Sequence, residues 1–532
     1  MKKILLPFLT VLTLALAGMF ITEEKAAQAA STKISSAEDL LAMEKNPSGD
    51  YYLAKDINVP ANTCLFSEDN PFTGTLDGKG YKLNGYKSTE ACGIFAKAKS
   101  AKFEDIAVTN VDINVNGSVA ALVCYADSCD FTNVTVSGTI VSTGGNSSSE
   151  YVGAIAAYGS GKMEKCNNSA KITAYANKRG KYVGGLAGWF KATSLKNCSN
   201  SGAVTLNTIT DTYNFAWKGD EDVQLQMAGL VAQDVGTVTS CQNSGNITLN
   251  LKYKVDEQNL DFRNRITVYV GGICKSATKL ISSGNTGKVK VTSKNSAKIY
   301  GSACVGGVAA YMTALAKNPP SKCYNKGEVS LTGAFDGKAG FGAAQDCKMG
   351  GLFGWSYGMR ECYNTGKVSL SLLSNHTGSI SFGGLAGECN RSLINCYNAG
   401  KVTVKNKGKR KKSAFRVGGL CGSVHVAGGK ATCNYNTGVV NVPKDCNNHR
   451  YHGQLIGEWA GPFLADKSLI YNNYYTTSGK AYGAGDTGWK PYMPTASKVS
   501  SIKSGSCPKL SSKYWVYSSK HKRLILKKNK EK

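Results

Sequence analysis

Five histidines occur in 532 residues, and none stands four positions from another with a glutamate between them. A zinc peptidase needs that spacing to bind metal on one helical face and activate water. Cys446, His449 and His452 fall at intervals of three, but Arg450 lies among them and its charge opposes a cation, so the segment reads as a polar loop. Glycoside hydrolysis asks for two carboxylates, roughly 5 to 10 Å apart, one protonated and one ionised. The dense acidic cluster Asp220-Glu221-Asp222 sits in the polar stretch 207–226 and reads as a solvated loop. No acidic residue recurs at a fixed place, no serine or cysteine has a histidine motif beside it, and no glycine-rich stretch ends in the Lys-Ser/Thr that cradles phosphate. No catalytic residue, metal or cofactor is therefore expected. A polysaccharide-degrading lyase or glycosidase is the alternative to be weighed, because many proteins built of stacked strands act on such polymers.

Two other sets of residues point to binding. Lys405, Lys407, Lys409, Arg410, Lys411 and Lys412, followed by Arg416, form a basic run placed to project between repeats. They would grip teichoic acid, a sulfated glycan or nucleic acid phosphates; the ordinary reading is a solubilising loop. Trp189 and Trp355 take the same place after a Gly-Leu core, and Trp217 marks an insertion. Exposed rings there would stack on sugars of a surface glycan or matrix, whereas buried rings would fill a corner of the core.

Positioning these residues falls to a repeat. Gly184-Gly185-Leu186-Ala187-Gly188 is followed by Cys198-Ser199-Asn200-Ser201-Gly202-Ala203-Val204, and the unit recurs at Gly350, Gly383 and Gly418, with weaker copies at Gly153, Gly229, Gly271 and Gly306. Copies are about 31 to 45 residues apart, a period that means stacked units. Segments of four to nine residues alternate or run apolar, as strands do, and glycine and asparagine between them suit sharp corners. The expected fold is all-β: a parallel β-helix or β-solenoid. Its small-residue motifs at Gly93, Ala120, Gly153, Gly184, Ala228, Gly271, Gly306, Gly350, Gly383, Gly418 and Gly453 predict about eleven rungs. Ser35 and Glu38 are spaced as a capping box for a short N-terminal helix, and Pro508 to Leu526 is expected to close the other end.

Residues 1–30 read as a signal peptide: Lys2-Lys3, an apolar stretch from Ile4 to Phe20, and the small residues Ala27-Gln28-Ala29. Residues 31–92 then form the N-terminal cap and first strands, 93–475 the repeats, and 476–532 the C-terminal cap and basic tail. The mature protein is expected to be secreted, then released or held at the cell surface by non-covalent contacts. With 64 Lys and Arg against 36 Asp and Glu, the net charge of +28 favours anionic polymers as partners. Eighteen cysteines in an exported chain would ordinarily mean disulfides. Cys166, Cys198, Cys241, Cys323, Cys362 and Cys396 share one place in the repeat, however, and are expected to form an unpaired ladder; Cys64, Cys92, Cys124, Cys129, Cys347, Cys389, Cys446 and Cys507 are the better disulfide candidates.

The cores Gly185-Leu186-Ala187-Gly188, Gly351-Leu352-Phe353-Gly354, Gly384-Leu385-Ala386-Gly387 and Gly419-Leu420-Cys421-Gly422 resemble the GLUG-repeat family of secreted bacterial proteins. The run Ala37-Glu38-Asp39-Leu40, Tyr51-Tyr52-Leu53 and Phe72-Thr73-Gly74-Thr75-Leu76-Asp77-Gly78 is similar to the opening of such proteins, and Tyr514-Trp515 with Arg523-Leu524-Ile525-Leu526 to their close. The resemblance implies an adhesin-like surface role, or a place in the non-catalytic regions of IgA-cleaving zinc metallopeptidases. A non-enzymatic rod displaying loops, including the inserts 207–227 and 250–268, is the leading expectation. A purely architectural spacer is a further one.

Overall fold

The computed structural model describes residues 31–531 apart from 91, 146–148, 177–179, 209–211, 214–221, 253, 256–264, 294–298, 300, 314–317, 334–345, 374–378, 408–414, 426–428, 444–450, 460–469 and 483–495. The expected signal peptide, Lys409, Arg410, Lys411, Lys412, Trp217, Asp220 and Cys446 lie outside the described residues.

The chain is nearly all-β, and its strands associate into long parallel sheets. Each repeat contributes to three of them in turn. Gly180–Gly184 belongs to a nine-stranded sheet that runs from Ser149–Val152 to His452–Gly453. Past the small-residue pair, Ala187–Lys196 joins a fifteen-stranded sheet that begins at Thr32–Ile34 and extends to Ile456–Trp459. Ser199–Asn200 and Val204–Thr208 enter the third. Every copy pairs with the next in the same register, so Gly184, Ala228, Gly271, Gly306, Gly350, Gly383, Gly418 and Gly453 form one column. Leu, Val and Ile of all three sheets meet in a continuous interior, joined near the N-terminus by the rings of Phe66, Phe72, Phe95 and Phe103.

The Asn of each repeat explains the glycines around it. Asn168, Asn200, Asn243, Asn285, Asn325, Asn364, Asn398 and Asn436 are buried, and each Nδ2 through Asn398 donates to the Oδ1 of the next at 2.7 to 2.9 Å. The same Nδ2 donates to a carbonyl two residues on, as Asn200 does to Gly202 at 2.9 Å. A Cβ on Gly185 would meet Gly229 O at 2.0 Å and Asn200 Cγ at 2.7 Å, and one on Gly245 would meet Gly202 O at 2.0 Å. Two glycine columns thus leave the space that the amide ladder fills.

The sharp corners before the cysteine column fall on asparagine, as expected, but on lysine, serine and glutamate as well. Backbone of left-handed sense precedes the cysteine column at Lys165, Asn197, Ser240, Ser282, Lys322, Glu361 and Asn395, none of them glycine. The next side chain then accepts a backbone N–H from the preceding repeat. Cys323 N–H donates to Cys362 Sγ at 3.4 Å and Cys362 N–H to Cys396 Sγ at 3.5 Å, while Ser283 Oγ and Asn434 Oδ1 take the same part at 3.1 and 2.8 Å. Burial, reinforced by hydrogen bonding between neighbouring thiols, pushes Cys166, Cys323 and Cys396 well up. All seventeen described cysteines are free thiols, including Cys64, Cys92, Cys124, Cys129, Cys347, Cys389 and Cys507, which the sequence had marked for disulfides. Several of these stack as well: Cys92 packs with Cys124 in a cluster of small side chains.

Both ends depart slightly from expectation. The helix Ala37–Ala42 is capped by Ser36, not Ser35; Ser36 Oγ accepts from Asp39 N–H, and Ser35 N–H donates to the Asp39 carboxylate at 2.8 Å. The C-terminal segment lies along the side of the stack. Its antiparallel hairpin, Trp515–Ser518 with Arg523–Leu526, covers a ladder of stacked rings, Tyr324, Tyr363, Tyr397 and Tyr435, at centroid spacings of 5.6, 5.1 and 4.8 Å. Tyr397 donates to Glu531 at 2.6 Å, Arg523 pairs with Glu531 at 2.8 Å, and Asn529 donates to Glu361 O at 2.9 Å, so the basic tail is an ordered strap.

Asn364→Ala deletes both amide donations and the acceptor for Asn325, leaving buried polar atoms unpaired. A loss of about 2 to 3 kcal/mol in urea denaturation is expected; a change below about 0.5 kcal/mol, as at an ordinary surface site, would show that the ladder is dispensable. Burial also holds the Tyr397 and Tyr435 phenols well above the usual range. Unfolded phenols ionise near pH 10, so the strap's contribution is complete below about pH 10 and lost as pH rises beyond it. Ultraviolet titration of tyrosinate should show a late step coincident with loss of the near-ultraviolet signal; ionisation of every tyrosine near pH 10 in the folded chain would contradict this.

Candidate functional site

Two positions of the repeat point away from the interior along the border between the nine- and fifteen-stranded sheets. One lies four residues after the second small residue: Tyr125, Tyr158 and Trp189 are in register, and so are Tyr311, Trp355, Glu388, Ser423 and Glu458. The other lies two before the first: Tyr151, Tyr182, Gln226, Tyr269, Cys304, Lys348, Ser381 and Arg416. Alternation of side chains along a strand places both sets outside while their neighbours, such as Phe190 and Met227, face inward.

The columns meet in two depressions. Lys97, Tyr125, Tyr158, Trp189 and Lys191 line the first, where Tyr158 and Trp189 stack at 4.5 Å and 11° and Tyr151 lies 5.0 Å from Tyr158. Tyr269, Tyr311, Asp346, Lys348 and Trp355 line the second, where the Tyr269 and Tyr311 centroids are 5.5 Å apart. Between them Lys275 lies over both those rings, 5.6 and 5.4 Å from their centroids, and pairs with Asp234 at 3.2 Å. Lys348 reaches Glu388 at 2.9 Å and Asp346 at 3.6 Å, and Trp355 Nε1–H donates to Glu388 at 3.1 Å. Burial opposes the charge on Lys348, but these two carboxylates outweigh it and raise its pKa, so the amine is not poised to take a proton near neutrality.

Trp189 and Trp355 therefore take the same outward position of the repeat, on strands and not on loops, half-buried in two separate runs, Tyr125-Tyr158-Trp189 and Tyr311-Trp355. Of the described basic residues of that run, only Arg416 reaches this border. Lys405 and Lys407 are exposed at the end of Val402–Asn406 in the third sheet. Arg416 sits in the nine-stranded sheet, ion-paired with Glu458 and donating to Ser379. Its charge is thus already matched. Tyr125, Tyr158, Tyr269, Tyr311, Lys275 and Lys348 were missed in the sequence; their fixed offset from the small-residue pair was the available signal. Among the described residues no group of three or more His, Cys, Asp or Glu is placed to hold a metal ion, and no helix is long and apolar enough to cross a membrane.

Residues 19–138 match the model of the M26 IgA1-specific metallo-endopeptidase N-terminal region. The match takes in the capped helix, the phenylalanine cluster and Tyr125, and stops before Trp189. Comparison with curated proteins and with solved structures finds no match.

The two aromatic neighbours at 189 and 190 test which way the strand faces. Phe190→Ala should cost about 3 to 5 kcal/mol, since its ring is wholly buried. Trp189→Ala should cost no more than about 1.5 kcal/mol, the worth of a ring contact. Equal losses in denaturation midpoint would place both rings in the core.

Proposed function

We propose that the chain is a secreted, non-enzymatic surface protein that binds glycan along the border between its nine- and fifteen-stranded sheets. The three sheets are read as the faces of one β-solenoid of about eleven rungs, similar in its repeats to the GLUG family. At about 4.8 Å per rung the rod is on the order of 50 Å long. The observation that carries the reading is the pair of outward aromatic runs, Tyr125-Tyr158-Trp189 and, further along, Tyr311-Trp355, set on strands of a rigid stack. Rings held in place by the scaffold offer apolar edges to sugars, and they lose little freedom on binding. The match to the N-terminal region of a peptidase family fits this role, because that region is not the catalytic one.

A second reading, polysaccharide cleavage, rests on Asp346 and Glu388 flanking Lys348 in the second depression. A hydrolase needs two carboxylates free to act as acid and base, and both of these are engaged by the Lys348 ammonium, at 3.6 and 2.9 Å. A lyase using this lysine as base needs a lowered pKa, and Lys348 is shifted the other way.

A glycan array probed with the purified protein and with the Trp189→Ala/Trp355→Ala double variant tests the proposal. The expected outcome is binding by the wild type, at least about tenfold weaker in the double variant, with no reducing ends or unsaturated sugars released from bound polysaccharide. Product release abolished by Glu388→Gln would establish the enzymatic reading instead.

A further inference from the structure

We infer that the groove takes an uncharged, extended polysaccharide laid along the stack, not the anionic polymer that the net charge of +28 favours. This rests on the glycan-binding reading above and narrows it to a ligand class.

The first ground is direction. Tyr125, Tyr158 and Trp189 come from successive repeats at centroid separations of 6.0 and 4.5 Å, and Tyr311 and Trp355 are again register partners. Adjacent strands lie about 4.8 Å apart, so the platforms recur at roughly the length of a single sugar ring. Because Tyr158 and Trp189 stack face to face at 11°, a linear chain of pyranoses parallel to the stack meets their outward edges in turn; a branched or globular glycan does not.

The second ground is charge. The groove's cations are matched by protein carboxylates: Lys97 with Glu68 at 2.7 Å, Lys275 with Asp234 at 3.2 Å, Lys348 with Glu388 at 2.9 Å, and Arg416 with Glu458. Lys191, at the rim of the first depression, shares that depression with Asp127. A sulfate, phosphate or uronate laid here meets a carboxylate beside nearly every lysine and must displace it or bear its repulsion.

The third ground is hydrogen-bonding sense. Gln226, in register between Tyr182 and Tyr269, is buried, and its Oε1 has no hydrogen-bond partner among the described residues. A buried acceptor left unpaired is costly, and only a donor relieves it. A sugar hydroxyl at this position donates, whereas an ionised sulfate or carboxylate placed there in its stead does not.

Affinity electrophoresis of the full chain in native gels separates the outcomes. The probes are barley mixed-linkage β-glucan and hydroxyethyl cellulose as uncharged chains, and polygalacturonate and heparin as anionic ones, each at low and high salt. Retardation by the uncharged gels is expected, changing less than about twofold with salt because no ion pair forms. Trp189→Ala and Trp355→Ala should each weaken it several-fold. Gln226→Leu, which keeps a buried side chain of similar size, should weaken it as well while leaving the circular dichroism unchanged. Retardation confined to the anionic gels and falling steeply with salt would overturn the inference while leaving glycan binding intact. Retardation by none of the four would remove the glycan reading itself.

Discussion

The structure depends first on a line of asparagine amides running through its interior from Asn168 to Asn436. An unpaired buried amide costs more than a paired one returns, so each asparagine requires the next at the right height. The ladder therefore fixes register as well as contributing stability. A one-residue slip in a single repeat would remove its Nδ2 from the next Oδ1 and put a Cβ where Gly185 or Gly245 has none, 2.0 Å from a neighbouring carbonyl oxygen. Such constraints matter more here than in a compact domain, because each repeat touches only its neighbours and an error is not corrected from a distance.

Much of this was legible in the sequence because the interactions concerned are local to the repeat. The Asn-x-Gly spacing, the Gly pair and the apolar alternation each answer to a contact within one unit or to the same contact one unit on. The corners were read less well. Glycine and asparagine were expected to make them, and Asn197 and Asn395 do, but Lys165, Lys322 and Glu361 adopt the same left-handed backbone, and the paired glycines of the repeat serve close approach. A cysteine column was visible, but not that its sulfurs accept backbone N–H groups, a part serine and asparagine also play at 283 and 434.

What the sequence concealed depends on pairs far apart in the chain. Arg416 reads as one more charge in a basic run until Glu458, 42 residues on, is seen to hold it. The tail reads as a run of free lysines, yet Glu531 reaches Tyr397 across 134 positions and turns the segment into a strap over the tyrosine ladder. Trp189 and Trp355 were found from their place in the repeat, but their surroundings were not. Tyrosine is too common in this chain, with 27 copies, for Tyr158 or Tyr311 to stand out before the register aligns them.

The strong positive charge and the aromatic groove then belong to different parts of the molecule. Long-range attraction depends on the whole charge distribution and is screened by salt, whereas recognition in a groove depends on the groups that line it. The groove's lysines are paired with carboxylates, and Lys97 and Lys275 also lie over rings at 5.7 and 5.6 Å from their centroids. Spent in this way, they stiffen the platforms and do not advertise for anions. The exposed lysines of the third sheet, such as Lys405 and Lys407, remain free to supply a salt-dependent approach to an acidic surface. The proposed binding of an uncharged chain at the border and any attraction of an acidic surface would thus fall to different sheets, because the repeat assigns each position of its sequence to only one sheet.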